Sequence, residues 1–299
     1  MEFKDYLAGL TEDIENIIYS FLPEEKEYSV KIRQAMNYSV KNGGKRLRPV
    51  FMWLTYKMLG GDKEYVNCFM SAIEMIHSYS LVHDDLPAMD NDELRRGKPT
   101  TWKQYGHAEG ILAGDGLLNL AYETSLKAFE KAYDDDIKDI AAASRILASK
   151  AGIDGMVGGQ AVDVVLTGKS IDYDTLCYIY KLKTCALIEA SFMIGGALAK
   201  TDETAILRLE EIGTNLGMAF QIQDDILDIY GDEVSLGKPL HSDEKNDKTT
   251  YVSLFGYERA KQYVEEYSQK AVGLLNTFPE NEYREYLNEL FVMLINRSK

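Results

Sequence analysis

The sequence predicts an all-α protein, and three observations predict it. Long segments carry apolar residues at three- and four-residue spacing. No alternating apolar–polar run bounded by turn residues stands out as a strand. The six prolines (Pro23, Pro49, Pro87, Pro99, Pro239 and Pro279) fall at breaks in the helical pattern.

Helices are expected, in order, over residues 2–21, 25–42, 46–59, 62–86, 107–132, 135–152, 155–167, 172–199, 202–230, 249–276 and 281–296. Most connections between them are short and carry Gly, Pro or Asp. Two are longer and rich in charge, residues 89–105 and 231–248, and each follows an acidic cluster. No Ser/Gly-rich linker divides the chain, so residues 1–299 read as one domain.

The chain is 45% hydrophobic, enough for an extensive core, and its net charge of -15 argues against nucleic acid or an anionic membrane as partner. Basic residues nevertheless cluster at residues 41–48 and at Arg95-Arg96-Gly97-Lys98, which suggests a small anionic ligand. Taken alone, residues 41–48 read as a solvated helix end. Cys68, Cys177 and Cys185 have unrelated spacings within apolar patterns, as expected of buried free thiols in a reducing compartment. The N-terminus is unlike a signal peptide and no apolar run reaches membrane-spanning length, so a cytoplasmic location without a membrane span is expected.

The chemistry is concentrated in two acidic clusters, Asp84-Asp85-Leu86-Pro87-Ala88-Met89-Asp90 and Asp224-Asp225-Ile226-Leu227-Asp228. Each follows an apolar helical run, where a charge without a partner is costly. Two like charges about 4 Å apart repel by roughly 4 kcal/mol at an effective dielectric near 20. Crowded carboxylates of this kind call for a hard cation, and oxygen-only ligands suit Mg2+ carrying a phosphorylated substrate. Asp224 and Asp228 share a helix face, one turn apart. Pro87 disfavours helix at Leu86, so Asp84 and Asp85 should end a helix and Asp90 should return by a loop. The repeated helix, Asp-Asp and charged-loop unit would place the clusters on facing helices of one bundle. A pair of solvated helix ends is the bland alternative.

Seven ordered motifs resemble the trans-isoprenyl diphosphate synthases. They are Gly43-Gly44-Lys45-Arg46-Leu47-Arg48-Pro49, the run from His77 through Asp90, Leu94-Arg95-Arg96-Gly97-Lys98-Pro99-Thr100, Gly155-Met156-Val157-Gly158-Gly159-Gln160, Lys183-Thr184, Phe220 through Asp228, and Leu236-Gly237-Lys238-Pro239. The match runs from about residue 40 to 254 and is closest to the bacterial-type farnesyl diphosphate synthases. It implies the isoprenoid synthase fold, a single bundle of ten or more helices around a central active-site cavity, and a cytoplasmic homodimer.

The resemblance also implies roles. Asp84, Asp85, Asp90, Asp224, Asp225 and Asp228 would hold three Mg2+ ions with an allylic diphosphate, gripped also by Arg95, Lys183, Lys238 and Lys248. Lys45, Arg48, His77 and Arg96 would bind isopentenyl diphosphate without metal. Thr184, Gln221 and the Lys183 carbonyl would face the allylic carbocation, and Tyr79 and Ser80 would set chain length. The departing diphosphate removes the last proton, so no side-chain base is nominated. Ion pairing of Arg95 and Arg96 with Asp90, Asp92 and Glu93 is a rival reading. His83 reads as a packed, hydrogen-bonded histidine, and His107 and His241 as surface or cap residues.

Two positions depart from the family pattern. Cys185 stands where glycine usually follows Lys-Thr, and His241 and Asp247 stand where the downstream loop usually has glycines. The expected reaction is head-to-tail condensation of isopentenyl diphosphate with dimethylallyl and geranyl diphosphate, giving farnesyl diphosphate. Alternatives are a geranylgeranyl or geranyl diphosphate synthase, or a non-catalytic partner subunit. A terpene cyclase fits less well, because it usually has a different second metal motif and lacks the Lys45–Arg48 grip.

Overall fold

The computed structural model describes residues 3–26, 28–230 and 249–295. Among them the regular structure is helical except for one two-stranded hairpin, as the all-α expectation requires. In chain order the helices are α1 (Phe3–Ser20), α2 (Val30–Lys41), α3 (Leu47–Met58), α4 (Val66–Asp84), α5 (Thr101–Tyr105), α6 (His107–Leu126) and α7 (Ile137–Ala151). They continue with α8 (Met156–Leu166), α9 (Tyr173–Ile179), α10 (Ala186–Leu198), α11 (Glu203–Tyr230), α12 (Tyr251–Phe255), α13 (Tyr257–Leu275) and α14 (Glu282–Ile295).

The described residues form two compact units: the chain up to Val50 with Lys63–Ile137, and Phe51–Asp62 with the chain from Lys138 onward. In the first unit, α4 is apolar on nearly every face and almost wholly buried, the pattern of a central helix. In the second, α10 has the same character. There Phe51 stacks on Phe192 at 5.0 Å between ring centres, with Phe291 edge-on to both. By contrast α13 is amphipathic, burying Ala260, Val264, Ala271 and Leu275 along one stripe.

Several boundaries differ from the sequence reading, each for a local reason. The stretch expected as one helix over 249–276 breaks at Gly256, whose φ of +76° suits glycine. The stretch expected over 172–199 contains a π-helical segment, Tyr180–Cys185, between α9 and α10. The helix expected from residue 25 starts at Val30, and the one expected to reach residue 132 tightens to a 3-10 turn at Lys127–Lys131. Within residues 89–105, Leu94–Arg95 pairs antiparallel with Lys98–Pro99 (β1 and β2). Arg96 and Gly97 both have positive φ, 53° and 74°, as a tight two-residue hairpin turn demands. Strands two residues long carry no readable alternation, so this hairpin was not visible in the sequence.

Candidate active site

The first acidic cluster folds as its proline predicts. Helix α4 ends at Asp84, and the chain loops back until the Asp90 amide donates to the Asp84 carbonyl at 2.9 Å. Asn91, at φ 55°, donates to the Leu86 carbonyl and closes the turn. Asp85 is buried, only 3% exposed, and Arg95 from β1 grips it: Nε donates to both carboxylate oxygens, at 2.9 and 3.0 Å. Burial pushes the Asp85 carboxyl up to about 6 even so, because desolvation outweighs the guanidinium. Glu93 pairs instead with Lys103, and Asp92 offers its carbonyl to Thr100 and Trp102. The carboxylate that Arg95 hydrogen-bonds is thus Asp85, with Asp84 and the loop residue Asp92 adding to the negative field that holds the guanidinium charged.

The adjacent Arg96 turns the other way. It is exposed, and its Nη1 donates to the Gly43 carbonyl in the loop before α3. That loop carries Lys45, also exposed, and leads to Arg48 in the first turn of α3. The Arg48 Nε is buried without a hydrogen-bond partner, an orphaned donor of the kind that marks a place for a ligand. Burial pushes Arg48 down to about 10, with Glu74 opposing the shift and Arg96 adding to it. His77, one turn beyond Glu74 on α4, is held well below the usual imidazole range, first by burial and then by Arg48, Arg96, Arg95 and Arg46. His77, Glu74, Asp85, Arg95 and Arg96 all line one cleft. Residues 41–48 are therefore not simply a solvated helix end: Arg46 is 2% exposed.

On the wall of α4, Tyr79 is buried and lies edge-on to His83 at 5.8 Å, its hydroxyl pushed up to about 12 by burial. Ser80 donates to the His77 carbonyl, and His83 Nε2 lies 3.0 Å from the Ile111 carbonyl, as the packed-histidine reading requires.

In the second unit, the π-helical segment and α11 meet side chain to side chain. Thr184 donates to Gln221 Oε1 at 2.8 Å, and Gln221 Nε2 donates to Asp225 Oδ1 at 3.2 Å. Tyr180 Oη donates to Asp225 Oδ2 at 2.6 Å, and the Tyr251 amide donates to the same oxygen at 3.2 Å. Asp225 and Asp228 are buried, and Asp224 is half-buried. Lys183 reaches Asp163 on α8 at 2.6 Å. Gly159 of α8 allows that approach, since a side chain there would collide with the Lys183 amide. Cys185 is fully buried, and a Cβ at Gly217 would lie 2.7 Å from its sulfur, so the sulfur occupies the room that Gly217 leaves. Lys238, His241, Asp247 and Lys248 lie outside the described residues.

Asp163, Tyr180, Glu74 and Arg46 were not singled out from sequence. For Asp163 a signal existed: it lies four residues after Gly159, on the same helix face. Among the described residues no three His, Cys, Asp or Glu side chains converge as a ready-made metal cage. The carboxylate donors fit magnesium, which is typically held by one or two carboxylates together with substrate phosphates.

Comparison with known proteins decides the family. The polyprenyl synthetase family model matches residues 29–290. The chain belongs to the polyprenyl synthetase family. This polyprenyl synthetase is accordingly an enzyme, a prenyltransferase. It is 40% identical over 262 residues to the farnesyl diphosphate synthase of Geobacillus stearothermophilus, covering 88% of this chain and 87% of that one. It is also 40% identical over 248 residues to the chloroplastic geranylgeranyl pyrophosphate synthase of Capsicum annuum, covering 83% and 66%. Its fold matches a geranyltransferase from Helicobacter pylori, complexed with magnesium and isoprenyl diphosphate, with a TM-score of 0.87, 30% identity and 99% of each chain covered.

Proposed function

We propose that this polyprenyl synthetase condenses isopentenyl diphosphate head to tail with dimethylallyl and then geranyl diphosphate, releasing farnesyl diphosphate. The observation that carries this reading is the divergence of two neighbouring arginines. Arg95 points into the acidic cluster, whereas Arg96 points to the loop of Lys45 and Arg48. One hairpin thus serves two anion subsites of opposite design. A diphosphate that must leave needs metal-binding carboxylates nearby, and one that must stay needs cations alone. Arg suits bidentate phosphate contact and Lys supplies a point charge.

Asp84, Asp90, Asp224 and Asp228 would hold magnesium with the allylic diphosphate, three ions in all by resemblance to the family. When bound, the metal neutralises the charge developing on the leaving diphosphate. Asp85 and Asp225 would join those aspartates as ligands, since a carboxylate offers about four acceptor sites, while the hydrogen bonds each accepts fix it in place. Lys183 would exchange Asp163 for phosphate, joined by Lys238 and Lys248. Thr184, Gln221 and the Lys183 carbonyl would present oxygen to the allylic cation. Relatives with farnesyl names support that product, and buried Tyr79 agrees with a short chain. The enzyme would act as one catalytic domain per chain, in a cytoplasmic homodimer. Among the described residues no helix is long and apolar enough to cross a membrane. Incubation with isopentenyl diphosphate, geranyl diphosphate and Mg2+ should yield a fifteen-carbon diphosphate as the main product. Absence of any condensation product would sink the reading, and a twenty-carbon product would redirect it to a geranylgeranyl diphosphate synthase.

A further inference from the structure

We propose that Arg46 is a positioning residue for the isopentenyl diphosphate subsite, an inference that rests on the function proposed above. Its side chain is nearly inaccessible, and each of its nitrogens is committed within the first unit. Nε donates to Glu15 at 2.9 Å, and Nη1 to Glu74 at 2.8 Å and the Gly43 carbonyl at 3.4 Å. Nη2 donates to the Val40 carbonyl at 2.8 Å and the Tyr19 hydroxyl at 3.3 Å. A guanidinium has five N–H donors and these contacts use them all, so Arg46 has none left for a ligand. Arg48, two residues on, shows the reverse, with a buried Nε and no acceptor.

What Arg46 holds is the loop that bears the subsite. Gly43, Gly44 and Arg46 have φ of 89°, 144° and 50°, a backbone path that needs outside support at the non-glycine position. Arg46 ties that path to α1 through Glu15 and Tyr19, to the end of α2 through Val40, and to α4 through Glu74. Arg96 donates to the same Gly43 carbonyl and lies against Gly44, where a Cβ would come within 2.9 Å of its Nη1. Glu74 is 2% exposed and is the common counter-charge to Arg46, Arg48 and Arg96. Arg46 therefore fixes the Gly43 carbonyl that registers Arg96 and the chain segment that delivers Lys45 and Arg48, without touching the diphosphate.

The test compares the full-length wild type with Arg46→Lys, which keeps the charge but loses the fork, and with Glu15→Gln, which removes one partly exposed anchor. Isopentenyl diphosphate binding is measured by calorimetry without metal, alongside KM for each substrate and kcat at saturation. Arg46→Lys should weaken isopentenyl diphosphate roughly ten- to hundred-fold, the value of one charge-assisted contact, while geranyl diphosphate KM and kcat stay unchanged. Glu15→Gln should shift the same constant in the same direction by a smaller factor, and it carries the test if Arg46→Lys does not fold. Unchanged isopentenyl diphosphate affinity in a folded variant, or equal weakening of both substrates, overturns the inference. Failure of the wild type to bind isopentenyl diphosphate overturns the functional reading instead.

Discussion

Arg95 meets Asp85 through three hydrogen bonds from two nitrogens, Nε at 2.9 and 3.0 Å and Nη2 at 2.5 Å, while its neighbour Arg96 bonds backbone in a different loop. Two adjacent residues on a hairpin turn thus face different tasks. Arg95→Ala should weaken allylic binding or ionisation, and Arg96→Ala should raise KM for isopentenyl diphosphate. Each should cost roughly ten- to hundred-fold, from about 1.5–3 kcal/mol per charge-assisted contact. Steady-state kinetics with each substrate varied in turn checks this. Equal effects of both changes on both substrates would point to a shared structural ion-pair network.

The carboxylates make a second test. Asp84→Ala and Asp224→Ala should each lower turnover by several orders of magnitude while the helical circular dichroism spectrum stays intact. Removing a metal ligand disables leaving-group stabilisation without removing packing. EDTA should abolish activity and excess Mg2+ restore it. Full activity in chelator would contradict a metal role for either cluster.

Tyr180 offers a test of the second unit. Tyr180→Phe keeps the ring but leaves buried Asp225 short of its 2.6 Å donor, at a cost of about 1–3 kcal/mol. Melting temperature and kcat should both fall, with KM for isopentenyl diphosphate unchanged. A variant matching wild type in both would show the hydrogen bond to be dispensable.

Tyr79 sits about one and a half turns before Asp84, roughly 7 Å by rise alone, and side chains on a helix lean toward its N-terminus. Tyr79→Ala should open a cavity worth roughly 2–4 kcal/mol of stability. That space should admit a further isoprene unit, shifting product toward twenty carbons. An active, folded variant still making only farnesyl diphosphate would place the chain-length stop elsewhere.

His77 gives a dependence on pH with a definite sign. Its folded-state pKa lies well below the usual 6.5, so the unfolded chain takes the proton first as pH falls. Stability is therefore intact above that value and is lost as pH drops through it. Between about pH 7.5 and 5.5, the melting temperature of wild type should fall faster than that of His77→Gln. Parallel curves would mean that His77 titrates normally.

Much of this was legible in the sequence because it depended on local chemistry. Pro87 announced the return of Asp90, and the apolar runs announced α4 and α10. The partners were not legible. That Asp85 would take Arg95, that Lys183 would take Asp163, and that Tyr180 would cap Asp225 follow from side chains brought together by tertiary packing. Arg46 was hidden for the opposite reason: sitting between Lys45 and Arg48, it looked like one more surface cation. What separates it is that all its donors are taken by protein acceptors, whereas the buried Arg48 Nε has none and Lys45 is exposed.

The contact of Cys185 with Gly217 makes the two positions unequal in how they can change. A Cβ at 217 would lie 2.7 Å from the sulfur and 2.9 Å from both the Cβ and the Cα of residue 185. Shrinking 185 to alanine or glycine removes the sulfur but leaves the backbone collision. Position 185 can therefore lose atoms without disturbing its neighbour. Position 217 can gain a side chain only if α11 shifts away from the π-helical segment that carries Lys183 and Thr184.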